Sequence, residues 1–220
     1  MSKVKLPHPV LALITEPAMP DLVTRIADAL AAGVNMVQLR GHQLPARELY
    51  TLATTIQPLC QRHRAVFIVN DRLDVGLAAG ADGFQLGSRS LPLPIARRLA
   101  GENSLLGASV HSSDEARHAV ENGADFLLVG TIYPSHAHPN EPASGPQRVR
   151  EIRQILPSSP IIAIGGISAA NARVVMEAGA DGIGATSAIL LAPDIEQAVT
   201  AIHVAIISGL AAQKAQDFHE

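Results

Sequence analysis

Ser109-Val110-His111 closes an apolar run, and a histidine in that place could move a proton. Its ordinary pKa of about 6.5 suits acid–base work near neutrality. A plain hydrogen bond to a neighbouring loop is the simpler role. Ile164-Gly165-Gly166-Ile167 and Ala185-Thr186-Ser187-Ala188 close two later apolar runs. Glycines leave backbone N–H groups uncovered, and a helix start aims more of them at one point. The two segments therefore read as halves of a phosphate cradle, against the alternative of two tight turns. Gly145 is placed to help them. Gln38 and Arg40 end another run, and Arg40 offers a planar fork to an anion or to a rim ion pair. Asn70-Asp71 could hold a metal, orient a substrate or cap the next helix. His136 and His138 form a His-x-His without a carboxylate partner, which predicts no tetrahedral metal site.

A scaffold has to hold these groups, and the chain repeats one joint four times. Ala32-Gly33-Val34-Asn35, Gly80-Ala81-Asp82-Gly83, Gly123-Ala124-Asp125-Phe126 and Gly179-Ala180-Asp181-Gly182 each end a helical pattern and open an apolar run. Glycine supplies the left-handed residue that stops a helix. Eight runs have the length of buried parallel strands: 10–15, 36–40, 66–70, 83–86, 105–109, 126–130, 161–164 and 183–186. Helical patterns over 21–32, 46–63, 72–79, 94–100, 113–122, 147–156, 170–178 and 193–207 separate them. Eight such units predict an α/β fold, a (β/α)8 TIM barrel whose reactive groups gather at the C-terminal strand ends. One domain spans 1–220, with the barrel at about 10–207 and a frayed tail at about 213–220. The long insert 132–146 falls on the reactive face, as a lid or binding loop would.

Composition narrows the partners. A net charge of −3 with no basic stripe speaks against nucleic acid. No run reaches the roughly 18 apolar residues of a membrane span. The charged start, Met1-Ser2-Lys3-Val4-Lys5, has no apolar core to act as a signal. The single cysteine, Cys60, fits a reducing compartment, so a cytoplasmic location is expected. A homo-oligomer is left open.

The ordered phrases resemble thiamine phosphate synthase and its relative, the thiazole tautomerase. They are Val37-Gln38-Leu39-Arg40, Phe67-Ile68-Val69-Asn70-Asp71-Arg72, Gly80-Ala81-Asp82-Gly83, Ser109-Val110-His111-Ser112, Ala163-Ile164-Gly165-Gly166-Ile167 and Ser187-Ala188-Ile189. The resemblance implies that a synthase would join a hydroxymethylpyrimidine pyrophosphate to a thiazole phosphate with magnesium. A tautomerase would aromatise a carboxythiazole phosphate without metal. The chain departs from the synthase pattern at three places. A lysine is replaced by His42, and an aspartate by Ser90. A Pro-Thr-x-Thr-Lys clamp is replaced by Pro134-Ser135-His136-Ala137-His138. All three fall on the pyrophosphate and metal half, while Gly165, Gly166 and Ser187 remain. The expectation drawn here is a metal-free tautomerase, an isomerase without cofactor. His111 would be its acid–base, with a thiazole phosphate held by Gly165, Gly166, Thr186, Ser187, Gly145, Ser109, Gln38, Arg40, Asn70 and Asp71. A magnesium-dependent synthase and a non-catalytic phosphate-binding barrel are the alternatives.

Overall fold

A computed structural model describes residues 4–135 and 142–217. Eight parallel strands close into a barrel in chain order: β1 (Val10–Ile14), β2 (Met36–Leu39), β3 (Val66–Asn70), β4 (Gly83–Leu86), β5 (Leu105–Val110), β6 (Phe126–Val129), β7 (Ile161–Ile164) and β8 (Gly182–Ala185). The helices α1 (Leu22–Ala31), α2 (Ala46–His63), α3 (Leu73–Ala79), α4 (Leu93–Ala100), α5 (Ser113–Glu121), α6 (Gln147–Ile155) and α7 (Ala172–Glu177) follow strands one to seven. After β8 come a short α8 (Ser187–Leu190) and a long α9 (Ile195–Asp217). The fold is the single (β/α)8 TIM barrel expected from the repeated joint.

The strands are apolar on both faces because each face meets a core. Val10, Ala12, Met36, Val66, Ile68, Leu105, Phe126, Leu128 and Ile162 fill the barrel. Their alternate neighbours, such as Leu11, Leu13, Val37, Phe67 and Leu127, pack under the helices. The period of two carries the inward row on to Gln38 after Met36, Asn70 after Ile68 and Ser109 after Leu105 and Gly107. The barrel interior therefore turns polar at its C-terminal end.

The acid or amide of each repeated joint caps the bottom of a strand. Asn35 Oδ1 accepts from Leu11 N at 2.9 Å, and Asp82 Oδ2 from Phe67 N at 2.8 Å. Asp125 Oδ2 accepts from Leu106 N, and Asp181 Oδ2 from Ile161 N, each at 2.8 Å. Arg97 and Arg153 pair with Asp125 and Asp181 at 2.6 and 2.5 Å. Among the described residues no cation pairs with Asp82, and burial lifts its carboxyl above the ordinary value of 3.8, opposed by the Phe67 N–H. A carboxyl that titrates higher in the folded state favours folding below its ordinary pKa. That contribution is lost as pH rises through the shifted value. At neutral pH the ionised Asp82 is thus a cost. Asp82→Asn keeps the acceptor and removes the charge, as Asn35 does in the first repeat. Its thermal midpoint at pH 7 is expected to equal or exceed the parent's, with the difference shrinking toward pH 4. A clear loss of stability at pH 7 in a melting series would refute this.

Most element limits agree with the sequence reading to within one or two residues, and three points differ. The pattern over 193–207 missed α8, a single turn too short to show a period. The tail was expected to fray from 213, yet α9 runs on to Asp217. Within α9, Gly209 is seated against Met176 and Arg173 of α7. Residues 195–215 also form a helix long and apolar enough to cross a membrane, although no such run was expected. Here Ile195, Val199, Ile202 and Ile206 are buried, so one face of α9 belongs to the barrel's outer core. Cys60 is buried as expected, and burial with nearby Asp82 pushes its thiol up to about 12, leaving it inert at neutral pH.

Candidate active site

A cavity of about 580 Å³ opens at the C-terminal strand ends. Of the residues expected to hold or act on the ligand, all but Gly145 line it: Gln38, Arg40, Asn70, Asp71, Ser109, His111, Gly165, Gly166, Thr186 and Ser187. Gly145 does not reach it, and its N–H donates to Ile132 O at 2.9 Å. The left-handed backbone at Gly145 serves the 132–146 loop. His136 and His138 lie outside the described residues.

One wall is a hydrogen-bonded chain across β2 and β3. Gln38, only 2% exposed, donates from Nε2 to Asn70 Oδ1 at 2.7 Å. Asn70 Nδ2 donates to Asp71 Oδ2 at 2.7 Å. Ser90 Oγ donates to Asp71 Oδ1. His42 Nδ1 lies 3.1 Å from Asp71 Oδ2, and Arg40 Nε donates to His42 Nε2 at 3.3 Å. A neutral ring with its hydrogen on Nδ1 satisfies both contacts. Asp71 sits at φ 59, a left-handed backbone that few residues other than glycine, asparagine and aspartate accept. The three sequence options for Asn70-Asp71 thus narrow to an organising pair at the cavity wall. Gln38 Oε1 is buried and has no partner among the described residues. A buried carbonyl oxygen without a donor is costly, and a ligand N–H is the natural group to satisfy it.

The opposite wall is backbone. Gly165 and Gly166 have φ values of 96 and 60, and α8 starts at Ser187. Among the described residues, no carbonyl accepts from the N–H groups of Gly166 or Ser187. The tight turn is present, and these two N–H groups stand at the cavity without a backbone partner. A Cβ on Gly166 would come within 2.8 Å of Tyr133 Cβ, so the turn needs glycine to pass the β6–α6 loop, and the same absence leaves the amides bare.

His111 stands at the rim with its side chain 55% exposed. Its backbone N–H donates to Glu115 Oε2 at 2.8 Å, and its Nδ1 lies 3.3 Å from the same oxygen. Ser112 caps α5 by accepting from Glu115 N at 3.1 Å. The Ser-x-x-Glu spacing that starts the helix thereby also holds the histidine. Glu115 was missed, though its capping-box spacing was visible. Arg89, Glu16 and Met19 also line the cavity and were missed, because loops carry no period to place them.

Amides without a backbone partner at the mouth of a closed parallel barrel lie across from a buried polar wall, at the strand ends where the active sites of such barrels are built. Comparison with known proteins narrows the class. Residues 11–189 match the family described as thiamine monophosphate synthase. The thiamine-phosphate synthase of Methanospirillum hungatei is 47% identical over 172 residues, 78% of this chain and 83% of that one. That of Chlorobium limicola is 44% identical over 191 residues, 86% and 89% of the two chains. The structure of thiamine phosphate pyrophosphorylase from Pyrococcus furiosus superposes with a TM-score of 0.85 at 36% identity, covering 92% of this chain and 97% of that one. This chain belongs to the thiamine monophosphate synthase family, a family of thiamine-biosynthesis enzymes.

These relatives overturn the tautomerase expectation and its isomerase class. Relatives 37–47% identical over most of the chain bear the synthase name. The departures at His42, Ser90 and His138 had been weighed as loss of a function. His42 and Ser90 are substitutions within a wall whose framework, Gln38, Arg40, Asn70 and Asp71, is kept, and His138 lies outside the described residues.

Magnesium, which the resemblance implies for a synthase, has to be tested against the donors present. Mg²⁺ takes hard oxygens, commonly one or two carboxylates plus phosphate oxygens. The cavity is lined by two described carboxylates, Asp71 and Glu16, on loops two strands apart around the barrel. Asp71 already meets Asn70, Ser90 and His42. Among the described residues no cluster of three or more His, Cys, Asp or Glu side chains could hold a metal. A magnesium here would have Asp71 as its one carboxylate on this wall and would depend on phosphate oxygens for most of its remaining ligands.

Proposed function

We propose that this chain is a thiamine-phosphate synthase, a transferase joining a hydroxymethylpyrimidine pyrophosphate to a thiazole phosphate. The identity of 47% to a synthase over most of both chains carries this reading. The two-walled cavity supports it. The bare amides near Gly166 and Ser187 suit the single phosphate of the thiazole. The unpartnered Gln38 Oε1 suits an N–H donor on a heterocycle, and Arg40 lies on the same side. Coupling exchanges the pyrimidine's C–O bond to pyrophosphate for a bond to the thiazole. The pyrophosphate leaves with the electron pair, and charge-bearing donors near it lower that barrier. Purified protein given both substrates should form thiamine phosphate and pyrophosphate in equal amounts. Absence of product over a range of magnesium concentrations would refute the proposal.

Two variants sharpen it. Gln38→Leu removes both the ligand contact and the donor to Asn70. It should lower kcat/KM for the pyrimidine substrate about 10²-fold, the scale of a lost buried hydrogen bond that leaves a partner unsatisfied. An unchanged value would mean that Oε1 faces no ligand. Coupling has no carbon proton to move, so the acid–base role expected of His111 falls away with the tautomerase. His111→Ala should cost less than about tenfold in kcat, well below the usual 10²–10⁴ of a lost general acid–base. A loss inside that range would restore the catalytic role.

A further inference from the structure

We infer that Arg89, together with Arg40, grips the diphosphate end of the substrate directly, so that binding of this group does not require a divalent ion held by protein carboxylates. The inference rests on the synthase reading for what carries the diphosphate, but not for the presence of the anion site. Arg89 lies in the β4–α4 loop, lines the cavity and is exposed. Its neighbour Ser90 is tied to Asp71 and back to the loop, accepting from Gly87 N at 2.7 Å. That anchors the loop beside the polar wall.

Among the described residues, neither cavity arginine pairs with a carboxylate: the Arg40 guanidinium meets the ring of His42, and Arg89 stands exposed at the cavity rim. Asp71, the one acid on that wall, is turned toward Asn70, Ser90 and His42. Two guanidinium groups are thereby left uncompensated at one side of a cavity. Planar N–H forks match phosphate oxygens in pairs, and two of them offset much of a diphosphate's charge. Where Ser90 stands, a second carboxylate would have drawn in a metal ion. A hydroxyl that braces Asp71 leaves the arginines to meet the anion.

Inorganic pyrophosphate is the probe, titrated calorimetrically into protein freed of metal with a chelator. The parent should bind it with an affinity within about threefold of that measured with magnesium added. Arg89→Gln should weaken the metal-free binding at least tenfold. Arg89→Lys should fall between, because an ammonium lacks the fork. In turnover, Arg89→Gln should raise KM for the pyrimidine pyrophosphate and leave KM for the thiazole phosphate within about twofold. Ser90→Asp should make pyrophosphate binding depend on magnesium. Binding that needs magnesium in the parent, or an unchanged affinity in a folded Arg89→Gln, overturns the inference. If pyrophosphate binds through Arg89 but no coupling occurs, the synthase reading fails and this site stands. Coupling that is indifferent to Arg89 gives the reverse.

Discussion

Gly166→Val is expected to reduce kcat/KM for the thiazole phosphate by about two orders of magnitude. Two costs meet at this residue. Its φ of 60 lies where a side chain costs roughly 1–2 kcal/mol, and more for a β-branched one. Its Cβ would come within 2.8 Å of Tyr133 Cβ and 2.9 Å of Tyr133 O, so the β6–α6 loop must give way. Overpacking of that kind costs about 1–3 kcal/mol. Relief by rotating the turn would move the amide proposed to face the phosphate, and about 2.7 kcal/mol of lost contact is a hundredfold in rate. Steady-state kinetics well below the melting point separates this from simple unfolding. Near-normal KM and kcat in the folded variant would place the phosphate elsewhere.

Asp125→Ala is expected to cost about 3 kcal/mol of stability with little change in KM. Asp125 and Arg97 are only 16% and 15% exposed. The substitution leaves the Leu106 N–H without its acceptor and removes the carboxylate from Arg97. Breaking a largely buried pair of this kind costs about 3–5 kcal/mol. Arg97 keeps the carbonyls of Ser104, Gly123 and Gly101, which sets the lower end of that range. For a chain of this size the midpoint should fall by about 6–12 °C. The site lies at the other end of the strands, so activity measured at low temperature should persist. A drop of under about 2 °C would show that the repeated acid is a surface residue.

The contrast with Asp82 makes the two stability predictions a pair. One repeated joint uses its acid with an arginine and another without. The sequence shows the four joints as equals. Arg97 lies 28 residues before Asp125, and Arg153 28 before Asp181, yet no local pattern marks them as partners.

Much of the barrel was determined by the chain alone. Helix stops and strand starts are local properties, set by a glycine's conformational freedom and by periods of 3.6 and 2. They also placed Gln38, Asn70 and Ser109 at strand ends, and the C-terminal ends of strands seven and eight pointed to Gly165, Gly166 and Ser187. Which row of each strand faces inward was decided by barrel closure, because both rows are apolar. What tertiary structure alone decided was who meets whom. His42 bridges Arg40 and Asp71, Ser90 braces Asp71 across 19 residues, and Gly145 turns its N–H into its own loop. Loop residues follow no period, and their side chains converge only when the sheet closes, because the closed barrel brings residues far apart in the chain to one rim. The substitutions at His42 and Ser90 therefore looked like losses one by one, whereas in three dimensions they form a single hydrogen-bonded wall.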